Sequence, residues 1–172
     1  MPEFHRRHCS CSYRFGQWGG RDDSSSPLAK AVQYNHRDLM MKPVYEEFLI
    51  GAYPTIYQTL EPRFPGGERF ECGDGWYGIV EELSAGLEAI ARAGGANRLN
   101  VVQVKEKLTA LRVYFDRPAP ETAIELVDAA IEKSRVTCEL CGAPGELSWY
   151  REGWSKTLCG RCATQARTEA QT

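Results

Sequence analysis

Thr137–Gly145, TCELCGAPG, and Thr157–Cys162, TLCGRC, carry two CxxC pairs: Cys138 with Cys141, and Cys159 with Cys162. Seventeen residues, 142–158, lie between the pairs. Two tight pairs at that separation can surround one ion with four thiolates, the arrangement of a closed structural zinc site. Such a site keeps no open coordination position, so it predicts a cofactor and a stapled module rather than a reaction. Gly142 and Gly160 follow the pairs and supply the turns that aim two sulfurs at one point. Between the pairs, Glu146–Arg151 (ELSWYR) and Ser155–Leu158 flank Glu152-Gly153-Trp154, which reads as a two-stranded hairpin turning at Gly153. The expected module is a zinc ribbon over 137–163, with a C-terminal tail over 164–172 that frays. So short a hairpin buries little alone, so metal binding supplies much of its folding free energy. Trp149, Tyr150 and Trp154 are expected to cover the cage or dock on the rest of the chain. Disulfides are the alternative; the compact spacing and the lack of a secretory signal favour metal.

Length and composition bound the remainder. A chain of 172 residues with 42% hydrophobic residues suits one domain of ordinary size plus an appendage. No apolar run approaches the roughly 18 residues of a membrane span, so no membrane association and a cytoplasmic location are expected. The formal net charge is −2. From Cys138 to Thr172 the chain has four Lys/Arg and four Glu, and four thiolates with one Zn²⁺ would add a further −2. Binding to nucleic acid rests largely on neutralising phosphates, and this balance provides no basic excess for it.

Residues 1–40 lack a sustained period and read as a disordered extension. His5, His8, Cys9 and Cys11 could offer a second metal site, but three of them crowd within four residues, 8–11, without CxxC spacing, which favours an unstructured tail. Translation starting at Met40 or Met41 is a further reading, because organised patterning begins immediately afterwards.

An α+β body is expected over 41–136. Tyr45, Phe48, Leu49 and Ala52 share a helical face, and Pro54 breaks the helix before Ile56, Tyr57 and Leu60 continue the apolar pattern. Asp74 is placed to cap a helix carrying Trp76, Ile79, Val80, Leu83, Leu87 and Ile90, ended by Gly94-Gly95. Val102 and Val104, then Leu111, Val113 and Phe115, suggest an antiparallel pair of strands on either side of Lys105-Glu106-Lys107. A last helix from Glu121 to Ser134 puts Ile124, Val127 and Ile131 on one face.

Three ordered blocks carry a resemblance. Glu71–Trp76 (ECGDGW), Gln103–Lys107 (QVKEK) with Leu111, Arg112 and Tyr114, and TCELCGAPG followed by GW and TLC make the chain resemble a family of small bacteriophage and prophage proteins with no assigned activity. The resemblance covers about Met41 to Cys162. Relatives usually place Gly where Thr109 stands, so a tight turn is not implied here. They often close the metal site with CxxH, which serves four-coordinate zinc equally well.

Three function classes follow. The first is a protein-interaction module, a phage or prophage accessory protein acting on another protein such as a host factor, with Trp149 and Trp154 as hot-spot candidates. Second is a nucleic-acid-binding zinc ribbon using Lys105, Lys107 and Arg112 near Tyr114; a solvated basic face is the plainer account of those residues. Third is an enzyme with a site near Glu71, Asp74 and Glu106. Cys72 with Asp74 invites a nucleophile, yet no His lies between Met41 and Thr172 to serve as base. A helix cap at Asp74 and a buried, inert Cys72 are therefore expected, with no catalytic residue assigned.

Overall fold

Val80, Leu83, Leu87 and Ala91 recur at three- and four-residue spacing, and only a helix puts them all on one face. They form the buried side of α2 (Tyr77–Ala93) in the computed structural model, which describes residues 40–94, 99–151 and 154–169. The expectations for an N-terminal extension and for His5, His8, Cys9 and Cys11 fall outside the described residues, as does the turn at Gly153. The architecture is α+β. A three-stranded sheet and helices α1 (Pro43–Ala52), α2 and α3 (Glu121–Arg135) precede a two-stranded hairpin and α4 (Gly160–Glu169). Among the described residues no helix is long and apolar enough to cross a membrane.

The sheet has the order β1-β2-β3, with β1 (Phe70–Glu71) parallel to β2 (Val101–Lys107) and β2 antiparallel to β3 (Ala110–Phe115). The sequence suggested only two strands here. β1 is two residues long and pairs across more than thirty positions, with Phe70 beside Val104, so no local pattern announces it. Lys105-Glu106-Lys107 lies inside β2 rather than between the strands, and the chain reverses at Leu108-Thr109. Both turn residues have positive φ, 55° and 64°, the pattern of a type I′ turn, although neither is glycine. The Glu106 carboxylate accepts the Thr109 amide at 2.7 Å and the Thr157 hydroxyl donates to the Thr109 carbonyl at 2.8 Å, holding the turn.

Helix faces shift slightly from expectation. In α1, Leu49 is buried and Tyr45 half-buried, but Phe48 and Ala52 are exposed and Glu46 is buried instead. The Glu46 carboxylate receives the amides of Arg69 and Phe70, both at 2.9 Å. Glu88 likewise receives the amides of Thr55 and Ile56, so two carboxylates satisfy backbone donors of a connection with little secondary structure of its own. Ile56, Tyr57 and Leu60 are buried there without being helical. In α3 the buried face is Ala123, Val127, Ala130 and Ser134, leaving Ile124 exposed. Ser134 bonds the Leu111 amide at 2.9 Å, which ties α3 to β3.

The hairpin forms as expected, β4 (Glu146–Arg151) against β5 (Trp154–Leu158). Beyond it, α4 continues to Glu169 where a frayed tail was expected; Ala163 and Ala166 bury too little area to make an apolar stripe legible.

Replacing Leu108-Thr109 by Asn-Gly puts residues that tolerate left-handed backbone at both positions. The double variant should raise the unfolding free energy by about 1 kcal/mol, read from urea denaturation at unchanged slope.

Candidate metal centre

Each cysteine pair sits where the backbone is forced to turn. After Cys138, the Gly142 amide returns to the Cys138 carbonyl at 2.9 Å and Gly142 adopts φ 74°, a conformation that side chains rarely take. The Cys138 amide in turn donates to the Ala143 carbonyl at 2.7 Å. After Cys159, the Ala163 amide bonds the Cys159 carbonyl at 2.9 Å and α4 begins, carrying Cys162 on its first turn. The two turns face each other, and all four Sγ atoms lie within 4.8 Å of one another. A tetrahedral cage with metal–sulfur bonds of about 2.3 Å has sulfur–sulfur edges of about 3.8 Å. Cys141 and Cys159 are already at 3.6 Å, far beyond the roughly 2.05 Å of a disulfide. The four cysteines are free and positioned to hold a metal ion.

The electrostatics suit thiolate ligands. Burial disfavours a charge on Cys159, but hydrogen bonds from the Cys162 amide and from the neighbouring thiols outweigh it and bring its pKa down to about 7. Burial, with repulsion from the other sulfurs, pushes Cys141 and Cys162 upward, although the Ala143 amide favours the Cys141 thiolate. Four crowded sulfurs resist collective ionisation until a cation neutralises them, and the Ala143 and Cys162 amides favour the thiolate form that a metal requires.

The first cysteine turn is built into the body through the ECGDGW block. The Gly75 amide donates to the Glu139 carbonyl at 2.8 Å, the Gly73 amide to the Glu139 carboxylate at 3.2 Å, and the Trp76 indole to the Thr137 carbonyl at 2.8 Å. A Cβ on Gly75 would lie 2.2 Å from the Cys138 carbonyl oxygen and 2.7 Å from the Cys141 amide, so only glycine permits this approach. Glu139, between the two ligands, is completely buried and meets Lys156 of β5 at 2.6 Å; Glu106 of β2 is 3.8 Å from the same ammonium. Burial raises the Glu139 pKa, and Lys156 pulls it back. Sequence reading missed Glu139 and Lys156, because neither belongs to a motif of its own and their contact forms only when the cysteine turn meets β5.

A scan against protein-family models matches none, and neither the curated proteins nor the solved structures give a match.

Asp74 does not cap α2. A single 3₁₀ turn (Asp74–Trp76) precedes the helix, and the Asp74 carboxylate instead takes the Lys42 amide at 2.8 Å and pairs with the Lys42 ammonium. Cys72 is fully buried and its pKa is pushed well up by burial, as expected of an inert thiol. Glu71 is bonded by Gln103 at 2.7 Å, and Glu106 serves Thr109 and Lys156, so Glu71, Asp74 and Glu106 have different partners. Among the described residues, only the four cysteines form a group of three or more His, Cys, Asp or Glu within reach of one ion.

Lys105 and Arg112 are brought together as opposite residues of β2 and β3, with the Lys105 ammonium 5.0 Å from the centre of the Tyr114 ring. Lys107 is exposed opposite Ala110. Trp149 and Trp154 do not cover the cage: they are 72% and 66% exposed, with Leu147 at 69%.

Gly75→Ala should cost roughly 3 kcal/mol of stability and weaken metal binding, because backbone surrounds the added carbon. Gly78→Ala, whose Cβ meets nothing within 4 Å in α2, should instead stabilise by about 0.5 to 1 kcal/mol. Thermal unfolding of both variants with metal present checks the pair.

Proposed function

We propose that the protein is a zinc-binding protein-interaction module, an accessory protein of the phage or prophage kind, in which the ion stiffens a hairpin that engages another protein. The ligand set supports zinc: four sulfurs within 4.8 Å of one another, with no ligand of another type, favour a d¹⁰ ion in a structural role. The observation that carries the interaction reading is the exposure of Leu147, Trp149 and Trp154 on an element fixed by the cage. Aromatic side chains displayed on a rigid support lose little entropy on binding and are the residue types that dominate protein interfaces. The resemblance to small phage proteins supports a host factor among the partners, acting in the host cytoplasm.

A second reading has one observation in its favour. Lys105, Arg112 and Tyr114 share the outer face of the sheet, where they could meet phosphates and a base. Glu71 lies beside Lys105 in the register and reduces that field. Retention on single-stranded probes that falls steeply with salt and disappears in Lys105→Glu/Arg112→Glu would favour it.

Metal analysis of protein purified without a metal-affinity tag should give one zinc per chain, lost in Cys138→Ser and in Cys162→Ser and on acidification as the thiolates protonate. Trp149→Ala/Trp154→Ala should keep the zinc and the unfolding temperature while losing the proteins that the wild type retains in side-by-side capture. An undiminished set in the double variant contradicts the interaction reading.

A further inference from the structure

A cleft of about 440 Å³ lies between the connection that leads into β1 and the outer face of the three-stranded sheet. Glu61 and Arg63 of the connection, Arg69 just before β1, Glu71 in it, Gln103 of β2 and Tyr114 of β3 line it. Gln103 and Tyr114 are opposite one another in the register, so the carboxamide and the phenol share one face of the sheet. Clefts of roughly 300 to 1,000 Å³ are the size that takes small-molecule ligands.

The charges lining this cleft are of both signs. Arg63 and Arg69 form no ion pair among the described residues. Arg63 lies over the Phe64 ring at 5.4 Å, which steadies the guanidinium while leaving its N–H edges for a ligand. Glu46 feels the Arg69 charge, but that carboxylate is engaged by the Arg69 and Phe70 amides. Glu71 accepts from the Gln103 carboxamide at 2.7 Å, whereas Glu61 is exposed and has neither a hydrogen bond nor an ion pair among the described residues.

Two guanidiniums suit a phosphate, which accepts paired N–H donors from each. The half-exposed Tyr114 ring suits a base. Lys105 lies 5.0 Å from the centre of that ring without bordering the cleft, so it covers one side of the phenol and leaves the cleft side open. A carboxylate in the same cleft repels phosphate, but it accepts the N1–H and N2–H of guanine together, where adenine offers a single amino group.

We propose that the cleft binds a guanine nucleotide, with its phosphate on Arg63 and Arg69, its base against Tyr114 and its N–H edge at Glu61. This assignment rests on reading the outer face of the sheet as a surface for bases, and it adds Arg63, Arg69 and Glu61, which that reading does not use. It is independent of Trp149 and Trp154.

Calorimetric titration of the full-length, zinc-loaded protein with guanosine monophosphate tests this, with adenosine monophosphate and guanosine as comparisons. The wild type should bind guanosine monophosphate about tenfold more tightly than either. Arg69→Gln should weaken it about tenfold and leave guanosine unchanged. Glu61→Ala should bring the two monophosphates within about threefold of each other. Zinc content and unfolding temperature separate lost binding from lost folding, and Arg63→Ala, at an exposed loop position, repeats the phosphate test if Arg69→Gln disturbs the fold. Equal affinity for the two monophosphates, no binding of either, or full affinity in Arg63→Ala overturns the proposal. Single-stranded probes distinguish its failure from that of the reading it rests on. Retention that needs Lys105 and Arg112 but not Arg63 and Arg69 keeps the sheet as a nucleic-acid surface and removes the nucleotide cleft, whereas selective binding of guanosine monophosphate without strand retention keeps the cleft alone.

Discussion

Gly75 lies so close to the peptide planes of the first cysteine turn that no Cβ would fit between them, and much of the structure is arranged around that contact. Backbone packs on backbone there, without a side chain to yield, so the position of Cys138 and Cys141 is set by the body as well as by the ion. The Trp76 indole and the two glycine amides saturate the carbonyls and the carboxylate that the turn presents. From Trp76 the chain runs directly into α2, so the longest helix of the fold begins at the contact that holds the metal site.

Beneath that contact lies a buried charge cluster. Glu139 and Lys156 come from the two halves of the ribbon, and Glu106 comes from the sheet, so the three charges connect three elements at one point. Desolvating such a pair offsets much of its attraction, and its value lies in what it forbids: sliding the ribbon along the body would strand a carboxylate or an ammonium in an apolar setting. Thr157 reaching Thr109 adds a directional bond at the same seam. Together they make the hairpin an outward-facing extension of the body, which leaves Leu147 and Trp149 in solvent instead of on the cage.

The parts of this fold legible in the sequence are those with local causes. The cysteine spacing gave the cage, the periodicity of Val80, Leu83 and Leu87 gave α2, and the β-rich runs around Glu152-Gly153 gave the hairpin. What escaped were long-range pairings with no period of their own. Strand β1 is too short to pattern, and the burial of Glu139 and Lys156 is visible only once two elements are docked. The ECGDGW block was conspicuous, but Asp74 was read in it as a helix cap; its glycines admit another backbone, and Asp74 ties down Lys42 at the start of α1. The left-handed Leu108-Thr109 turn was hidden because its residues are not the usual ones, and Glu106 and Thr157 stabilise it from outside the turn.

Reading the body and the metal site as separable would confine the effect of metal removal to the ribbon; the contacts at Gly75 extend it into the body. Residue-resolved amide hydrogen exchange before and after chelation decides between them. The account predicts that the amides of Gly73, Gly75 and Trp76 lose protection together with those of Cys138 to Gly145, while the middle of α2 around Val80 to Leu87 stays protected. Unchanged protection at Gly75 after the metal has been removed would contradict it.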